Sequence, residues 1–215
     1  SSAWPDIQVQ LETLTVCPSL PASAVFADTA VRARLAWSER LAAEPRRPRR
    51  PRPENTVLVQ GPVIPGMTEA VLRATMAVHL DNLVVLSTWS DTDPALLARL
   101  RMLADDVVLS ERPGHGGIQN RNCQIVSTRA GIERAMGSGA RAILKTRTDI
   151  AVLADRVFER AGWWLRRFSR TAARHHGLRG RLIVPSTFTR KYLLYHPSDL
   201  VMVGHADDLH RYWTA

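Results

Sequence analysis

The apolar residues of this chain fall into short continuous runs, separated by stretches with the spacing of an amphipathic helix. Four runs bounded by polar or turn-forming residues are predicted to be buried strands: 56–60, 83–89, 106–110 and 142–146. Helical spacing is found at 68–80, 94–103 and 120–136. Short apolar strands that alternate with helices are typical of a mostly parallel sheet covered on both faces. The pattern therefore predicts an α/β fold with an open, mostly parallel sheet flanked by helices.

Residues 1–54 have a different pattern and are predicted to form an N-terminal extension to a single domain at 55–215. Alternation at 7–11 predicts a short strand, and 27–43 has the spacing of one amphipathic helix. Residues 44–53 consist of prolines, arginines and one glutamate. Closely spaced prolines prevent helix formation and favour an extended chain. This segment is predicted to be a solvated linker, with a tether for nucleic acid or lipid headgroups as the alternative.

Composition narrows the class of protein further. The 215 residues are 45% hydrophobic and 23% charged, which is ordinary for a globular protein, and no apolar run approaches the roughly 20 residues that span a bilayer. The 29 Lys and Arg residues outnumber the 20 Asp and Glu residues, giving a net charge of +9. This excess predicts acidic partners, although an arginine-rich composition also follows from a GC-rich genome. The two cysteines form no C-x-x-C pair, which favours free thiols over a zinc ribbon.

Polar residues follow the predicted strands at their carboxyl ends, where open α/β sheets bind ligands. They are Gln60 and Gly61 after the first strand, Ser87 and Thr88 in the second, and 145–149 at the fourth. The motifs G-x-G-x-x-G, G-x-x-x-x-G-K-[ST] and G-x-S-x-G do not occur. This argues against a Rossmann dinucleotide site, a P-loop and a nucleophile elbow. A ligand site is therefore predicted at this edge of the sheet.

Asp149 comes directly after the fourth strand. A lone carboxylate in that position can hold Mg²⁺ or Mn²⁺ against a diphosphate. Lys145 and Arg147 lie two positions apart, so they are predicted to project to the same side and to clamp phosphate oxygens. The alternative is that Asp149 caps a helix beginning near residue 151. The literal D-x-D at 91–93 is interpreted as a helix cap, because its second Asp precedes a proline.

A glycine-rich loop at 113–117 precedes the helix predicted at 120–136, and such a helix N-terminus suits an anion. Arg121 and Asn122 lie in its first turn. Arg129 shares a face with Arg121 two turns further on, and a surface salt bridge is the alternative interpretation for it.

The segment 160–181 combines seven arginines with Trp163, Trp164 and Phe168. Basic and aromatic residues on one helix favour a membrane surface or a lipid-linked acceptor, and nucleic acid is compatible with them. The alternative is an amphipathic helix whose aromatic side chains belong to the core.

Seven segments together resemble the WavE family of lipopolysaccharide-synthesis proteins. They are V-L-V-Q-G-P at 57–62, L-S-T-W at 86–89, V-L-S-E at 108–111, N-R-N-C-Q-I-V-S-T-R-A-G at 120–131, L-K-T-R-T-D at 144–149, I-V-P-S-T-F at 183–188 and Y-H-P-S-D-L at 195–200. They follow the family's order and are most specific at 120–131, 145–149 and 196–204. The resemblance implies a bacterial sugar transferase with a GT-A-like fold, acting on surface-polysaccharide precursors at the cytoplasmic side of the inner membrane.

The resemblance also implies roles for particular residues. Asp149 would bind a divalent cation, Mn²⁺ or Mg²⁺, together with the donor diphosphate. Because the motif here is T-R-T-D rather than D-x-D, Lys145 and Arg147 would share the neutralisation of phosphate. The nucleotide-sugar donor is expected to contact Gln60, Gly61, Ser87, Thr88, Arg121, Asn122, Arg129, Lys145, Arg147 and Thr148.

Asp199 is expected to act as general base on an acceptor hydroxyl or to contact the donor sugar, with Asp207 and Asp208 as alternatives. The expected partners are a nucleotide-sugar donor, a glycan or lipid-linked acceptor and, peripherally, an anionic membrane; no specific nucleic acid is expected. Two other functions stay open. One is a non-catalytic protein that binds nucleic acid or another polyanion, and the other is a truncated transferase relative without turnover.

Overall fold

The computed structural model describes residues 51–154, 156–168, 177–185, 189 and 198–214. The strand predicted at 7–11, the helix predicted at 27–43 and nearly all of the predicted linker lie outside these residues. Among the described helices, none is long and apolar enough to cross a membrane.

A five-stranded sheet forms the centre of the described domain, in the order β3-β2-β1-β4-β5. Its strands are β1 (Arg52–Gln60), β2 (Asn82–Trp89), β3 (Asp106–Ser110), β4 (Ala142–Arg147) and β5 (Met202–His205). The first four strands are parallel, and β5 runs antiparallel along the outer side of β4. The predicted mostly parallel open sheet is confirmed, with one antiparallel strand at its edge.

Helices connect and cover these strands. In the described part of the chain they are α1 (Met67–Val78), α2 (Pro94–Arg101), α3 (Arg121–Gly137), α4 (Val157–Arg167) and α5 (Ala206–Thr214). Helices α1 to α3 are the three predicted from apolar spacing. Asp93 caps α2 as predicted, because its carboxylate accepts a hydrogen bond from the N–H of Leu96 at 2.8 Å.

The sheet is buried between two layers of helices, because neighbouring residues along a strand point to opposite faces. On one face, Val57 belongs to a cluster with Leu72 and other residues of α1, α2 and α4. On the other face, Leu58 belongs to a cluster with Ile132 of α3 and Leu209 of α5. Burial on both faces explains why the strands are continuous apolar runs rather than alternating ones.

Strand β1 begins inside the segment predicted to be a linker. The N–H of Arg52 donates to the carbonyl of Asp81 at 2.8 Å. The pairing register with β2 then shifts between Arg52 and Thr56. Pro53, which has no N–H to donate, lies in this irregular part of the strand. The extended conformation that prolines favour is therefore used for sheet pairing at the end of the segment.

Helix α3 packs closely on the sheet at Gly131. A β-carbon at this position would lie 2.4 Å from Cδ1 of Leu58 and 2.9 Å from Cβ of Ser87. Both distances are shorter than van der Waals contact, so the helix reaches this position because residue 131 has no side chain. The N-terminal half of α3 is consequently held near the carboxyl ends of β1 and β2.

Candidate functional site

The strand order reverses between the carboxyl ends of β1 and β4, and we call the region beyond these two ends the crevice. The chain runs from β1 outward to β2 and β3, and then crosses back to β4 on the other side of β1. Ligands of open α/β sheets bind where the strand order reverses in this way, which we call the switch point. Gln60 of β1 and Arg147 of β4 are paired in register there, so the candidate site lies around these two residues.

The turns that follow β1 and β4 are bonded to each other. The N–H of Thr148 donates to the carbonyl of Gln60 at 3.1 Å, and its hydroxyl donates to the carbonyl of Pro62 at 2.7 Å. Gly61 has a φ of 137°, and a β-carbon there would lie 2.8 Å from the Thr148 hydroxyl oxygen. Because Thr148 is buried, it and Gly61 shape the crevice through the backbone rather than by presenting side chains to a ligand.

Gln60 and Ser87 are both bonded to Ser127 of α3. The amide Nε2 of Gln60 donates to Ser127 Oγ at 2.6 Å, and the Ser87 hydroxyl donates to the Ser127 carbonyl at 2.6 Å. Ser87 is completely buried, and so is Thr88, its neighbour on the opposite face of the strand. Both side chains therefore lie in the interior of the fold. The family resemblance implied that they line a nucleotide pocket.

Arg147 and Asp149 form a bidentate ion pair at the switch point. Nε and Nη2 of Arg147 donate to the two carboxylate oxygens of Asp149, each at 2.8 Å. Burial alone would raise the pKa of Asp149, but the hydrogen bonds and charge of Arg147 lower it below its usual value. The hydrogen bonds of Asp149 raise the pKa of Arg147, and the charge of Asp199 adds to that effect. Both side chains of the pair are therefore held in their charged forms.

The metal site predicted around Asp149 stays a prediction. The two oxygens of Asp149 are bonded to Arg147, and within the described ranges no group of three His, Cys, Asp or Glu side chains could hold a metal ion. Mg²⁺ and Mn²⁺ require several oxygen ligands at once. The alternative prediction, that Asp149 caps a helix, is wrong, because residues 151–154 are not helical and α4 begins at Val157.

Lys145 occupies a different place from the predicted one. Its side chain is completely buried, and its ammonium group donates to the backbone carbonyl of Asp199 and lies 5.1 Å from the ring centroid of Trp213. Burial lowers the pKa of Lys145 to about 8, and the nearby Asp199 carboxylate opposes this shift. Trp213 of α5 covers this part of β4, so Lys145 holds the backbone of Asp199 instead of clamping phosphate at the surface.

Tyr212 of α5 is under the electrostatic influence of both Asp199 and Arg121. Burial raises the pKa of Tyr212, the negative charge of Asp199 raises it further, and the guanidinium of Arg121 acts in the opposite direction. Asp199 and Arg121 are therefore each within electrostatic reach of Tyr212, although the three residues come from separate parts of the chain. Tyr212 was not predicted from the sequence, because the segment around it contains no motif beyond the aromatic pair that it forms with Trp213.

The N-terminus of α3 is held by the glycine-rich loop. The side-chain Nδ2 of Asn122 donates to the carbonyl of His115 at 3.0 Å, and its backbone N–H donates to the carbonyl of Gly116 at 3.0 Å. Asn122 therefore fixes the loop to the helix. Arg121, which is exposed, supplies positive charge at this end of the helix.

Three further predicted residues have structural partners. Arg129 is exposed and pairs with Glu133 at 2.7 Å, as the salt-bridge interpretation predicted. Asp207 pairs with Arg179 at 2.5 Å, and the buried Asp208 accepts a hydrogen bond from the N–H of Arg179 at 2.9 Å. Helix α5 begins directly after β5, whose last residue pairs with the first residue of β4. Asp207 and Asp208 therefore lie near the amino end of β4, whereas the switch point is at its carboxyl end.

Replacing Lys145 with methionine is expected to remove a rise in stability between about pH 8 and pH 10.5. The lysine pKa is about 8 in the folded chain and 10.5 without burial, so in this window the unfolded chain binds more protons and rising pH favours folding. Urea unfolding at several pH values measures the effect as the difference between the wild type and K145M. K191M, which replaces the chain's other lysine, is the control. Parallel pH curves for the wild type and K145M would contradict the burial of this charge.

The fold and the site define the class of this protein. It is an α/β protein with an open, mostly parallel sheet and a charged crevice at the switch point, between the carboxyl ends of two parallel strands. The chain belongs to the WavE lipopolysaccharide synthesis family, whose model matches residues 55–215. The family resemblance found in the sequence is therefore confirmed, and the family's description points to lipopolysaccharide synthesis. Among curated proteins, none matches this chain significantly.

Proposed function

We propose that this protein is a glycosyltransferase with a GT-A-like fold that moves a sugar from a nucleotide-sugar donor to lipopolysaccharide or another surface-polysaccharide acceptor. Membership of a lipopolysaccharide synthesis family supports a role in glycan assembly. The observation that carries the proposal is the ion pair of Arg147 and Asp149 at the switch point, with Asp199 contributing charge nearby. A crevice of this kind suits a ligand that has both phosphate and hydroxyl groups.

The donor diphosphate would bind to Arg147 and Arg121. A guanidinium fork fits two phosphate oxygens in the same way that it fits the two oxygens of Asp149. Arg147 is reachable from solvent, because 35% of its side chain is exposed. The N-terminus of α3 adds a helix dipole that favours an anion. Gln60 and Gly61 would border the nucleotide on the β1 side of the crevice.

Donor binding would change the partner of Asp149. When a diphosphate takes the guanidinium of Arg147, the carboxylate is released and can accept hydrogen bonds from hydroxyl groups of the donor sugar. In this proposal the two arginines neutralise the phosphate charge. Whether a divalent cation adds to that neutralisation is decided by the experiment below.

Asp199 would serve the acceptor as general base. Its carboxylate removes the proton of an acceptor hydroxyl while the acceptor oxygen bonds to the anomeric carbon of the sugar. The bond from that carbon to the phosphate oxygen breaks, and its electron pair leaves with the diphosphate. Lys145 fixes the backbone of Asp199, so the base is positioned before the substrate arrives. Positioning and neutralisation of the leaving group would supply most of the rate enhancement.

Thermal unfolding with added nucleotides tests the proposal. UDP, GDP, dTDP and CMP are added to the wild type and to D149N, each with and without Mn²⁺, and the change in melting temperature is measured. One nucleotide is expected to stabilise the wild type, and without metal D149N is expected to keep or increase that effect, because the Asp149 carboxylate no longer competes with the diphosphate for Arg147. D106N is the matched control, because Asp106 also forms an ion pair with an arginine, Arg134, at the amino end of β3.

The outcomes separate the functions that the sequence left open. Stabilisation that needs Mn²⁺ and is lost in D149N supports a transferase in which Asp149 contacts the cation. Stabilisation without metal supports neutralisation by the arginines. If no nucleotide stabilises the wild type, the transferase proposal fails, and a polyanion-binding protein whose affinity falls steeply with salt becomes the better explanation. On the leading proposal the protein works in the cytoplasm, at the inner face of the membrane where lipid-linked acceptors are assembled.

A further inference from the structure

Helix α4 presents a large aromatic side chain on the face directed away from the sheet. Ala161 is buried in the cluster shared with β1 and marks the inner face of the helix. Trp163 follows two residues later, which places it about 200° around the helix axis, and 54% of its surface is exposed. Phe168, at the end of the helix, is 47% exposed. The interpretation that these aromatic residues belong to the core is therefore wrong for Trp163 and Phe168.

The aromatic rings of α4 form a continuous series. Trp163 contacts Trp164 edge to face with ring centroids 4.8 Å apart, and Trp164 stacks on Phe168 with centroids 5.3 Å apart. Trp164 is partly buried, so it anchors the two exposed rings to the body of the protein. The exposed rings are consequently held in place on the surface rather than projecting singly.

Arginines surround the exposed tryptophan. The exposed charged residues of α4 and its first flanking position are Arg156, Glu159, Arg160, Arg166 and Arg167. The one acidic residue, Glu159, pairs with Arg156 at 2.8 Å. Arg166 and Arg167 are three and four positions from Trp163, so they are its neighbours on the helix surface.

We propose that this surface, made of Arg160, Trp163, Arg166, Arg167 and Phe168 and here named the α4 surface, binds the headgroup region of an anionic lipid bilayer. Indole rings combine an apolar body with a polar N–H and favour the boundary between headgroups and acyl chains. Arginines next to them attract anionic headgroups, and their aliphatic stems lie along apolar surface. The inference does not depend on the transferase proposal, because no residue of the α4 surface belongs to the crevice.

Vesicle flotation tests the inference with the full chain. Vesicles of pure phosphatidylcholine are compared with vesicles of an equal mixture of phosphatidylcholine and phosphatidylglycerol, at low and high salt. The wild type is expected to float with the mixed vesicles alone and to release at high salt. Removing the two neighbouring arginines in R166Q/R167Q should lower the affinity roughly 30-fold, at about 1 kcal/mol for each charge near the headgroups. W163S/F168S should lose binding to a similar extent.

Matched controls separate this surface from other sources of binding. M102S removes a methionine that is 85% exposed at the end of α2, and R101Q removes an exposed arginine beside it; both should bind like the wild type. All variants keep the arginine-rich segment at 44–53, so a loss of binding reports on α4. The double variants should also keep the nucleotide-induced stabilisation, which separates this test from that of the transferase.

Three results would overturn the inference. The first is equal flotation of the wild type and both double variants. The second is equal binding of the wild type to neutral and anionic vesicles. The third is unchanged flotation together with the loss, in W163S/F168S, of a dimer seen by sedimentation or of a salt-sensitive RNA complex, which would assign the α4 surface to a second copy or to nucleic acid.

Discussion

Replacing Arg147 with glutamine is expected to weaken binding of the stabilising nucleotide by roughly 10- to 100-fold, because a hydrogen bond to a charged group contributes about 1.5–3 kcal/mol. The substitution removes the guanidinium fork and its charge and leaves a shorter, polar side chain. R147K keeps the charge without the fork, so its affinity for the nucleotide is expected to lie between those of the wild type and R147Q. If transfer can be followed, its rate should fall by roughly 100-fold or more, as when a preorganised donor to a developing charge is removed. Titration calorimetry measures the affinity.

The control for this prediction is R134Q. Arg134 forms an ion pair with Asp106 at the amino end of β3, so its removal breaks a comparable pair away from the switch point. R134Q should bind the nucleotide like the wild type. Equal affinity of R147Q and the wild type would show that Arg147 belongs to a structural pair, and phosphate binding would have to be sought elsewhere.

Replacing Gly131 with valine is expected to lower the free energy of unfolding by about 3 kcal/mol, the upper range for overpacking a well-filled core. A β-carbon at residue 131 would lie 2.4 Å from Leu58 Cδ1 and 2.9 Å from Ser87 Cβ. Leu58 is completely buried, and Cβ of Ser87 is attached to the backbone of a central strand. Helix α3 must therefore move away from the sheet, which also disturbs the hydrogen bonds between Ser127 and Gln60 at the crevice. The melting temperature should fall by roughly 10 °C.

G137A is the matched control in the same helix. A β-carbon at Gly137, the last residue of α3, meets no atom within 4 Å. Alanine should leave stability unchanged or raise it slightly, because glycine costs roughly 0.5–1 kcal/mol in a helix. If G131V and G137A melt at the same temperature, α3 does not approach the sheet as closely as described.

Elements with local signals could be predicted from the sequence. Asp93 followed by proline fixes the start of α2, because both the cap and the preset backbone angle act within one turn. The strand at 83–89 was located from a run of apolar residues, since burial on both faces of a parallel sheet leaves no room for polar alternation. The edge at which the candidate site lies followed from the same pattern, because parallel strands end together.

Contacts between residues distant in the chain could not be predicted. The spacing of Lys145 and Arg147 places both on one face of β4. It does not show that Trp213, which comes much later in the chain, covers Lys145 and leaves Arg147 accessible. In the same way, Gln60 has a polar amide at a strand end, and the sequence does not show that this amide donates its hydrogen bond to Ser127. Burial by a distant element decides which polar residues remain available to a ligand.

The outer strands of the sheet have a consequence for how the protein behaves at high concentration. They are the shortest strands, with five residues in β3 and four in β5. Ile183 forms an antiparallel bridge with Val203 through hydrogen bonds of 2.8 and 2.9 Å, which occupies part of the free side of β5. Aggregation of proteins with open sheets commonly starts when the edge strands of two copies pair with each other. Along the described edges of this sheet, few backbone groups are left unpaired for such contacts.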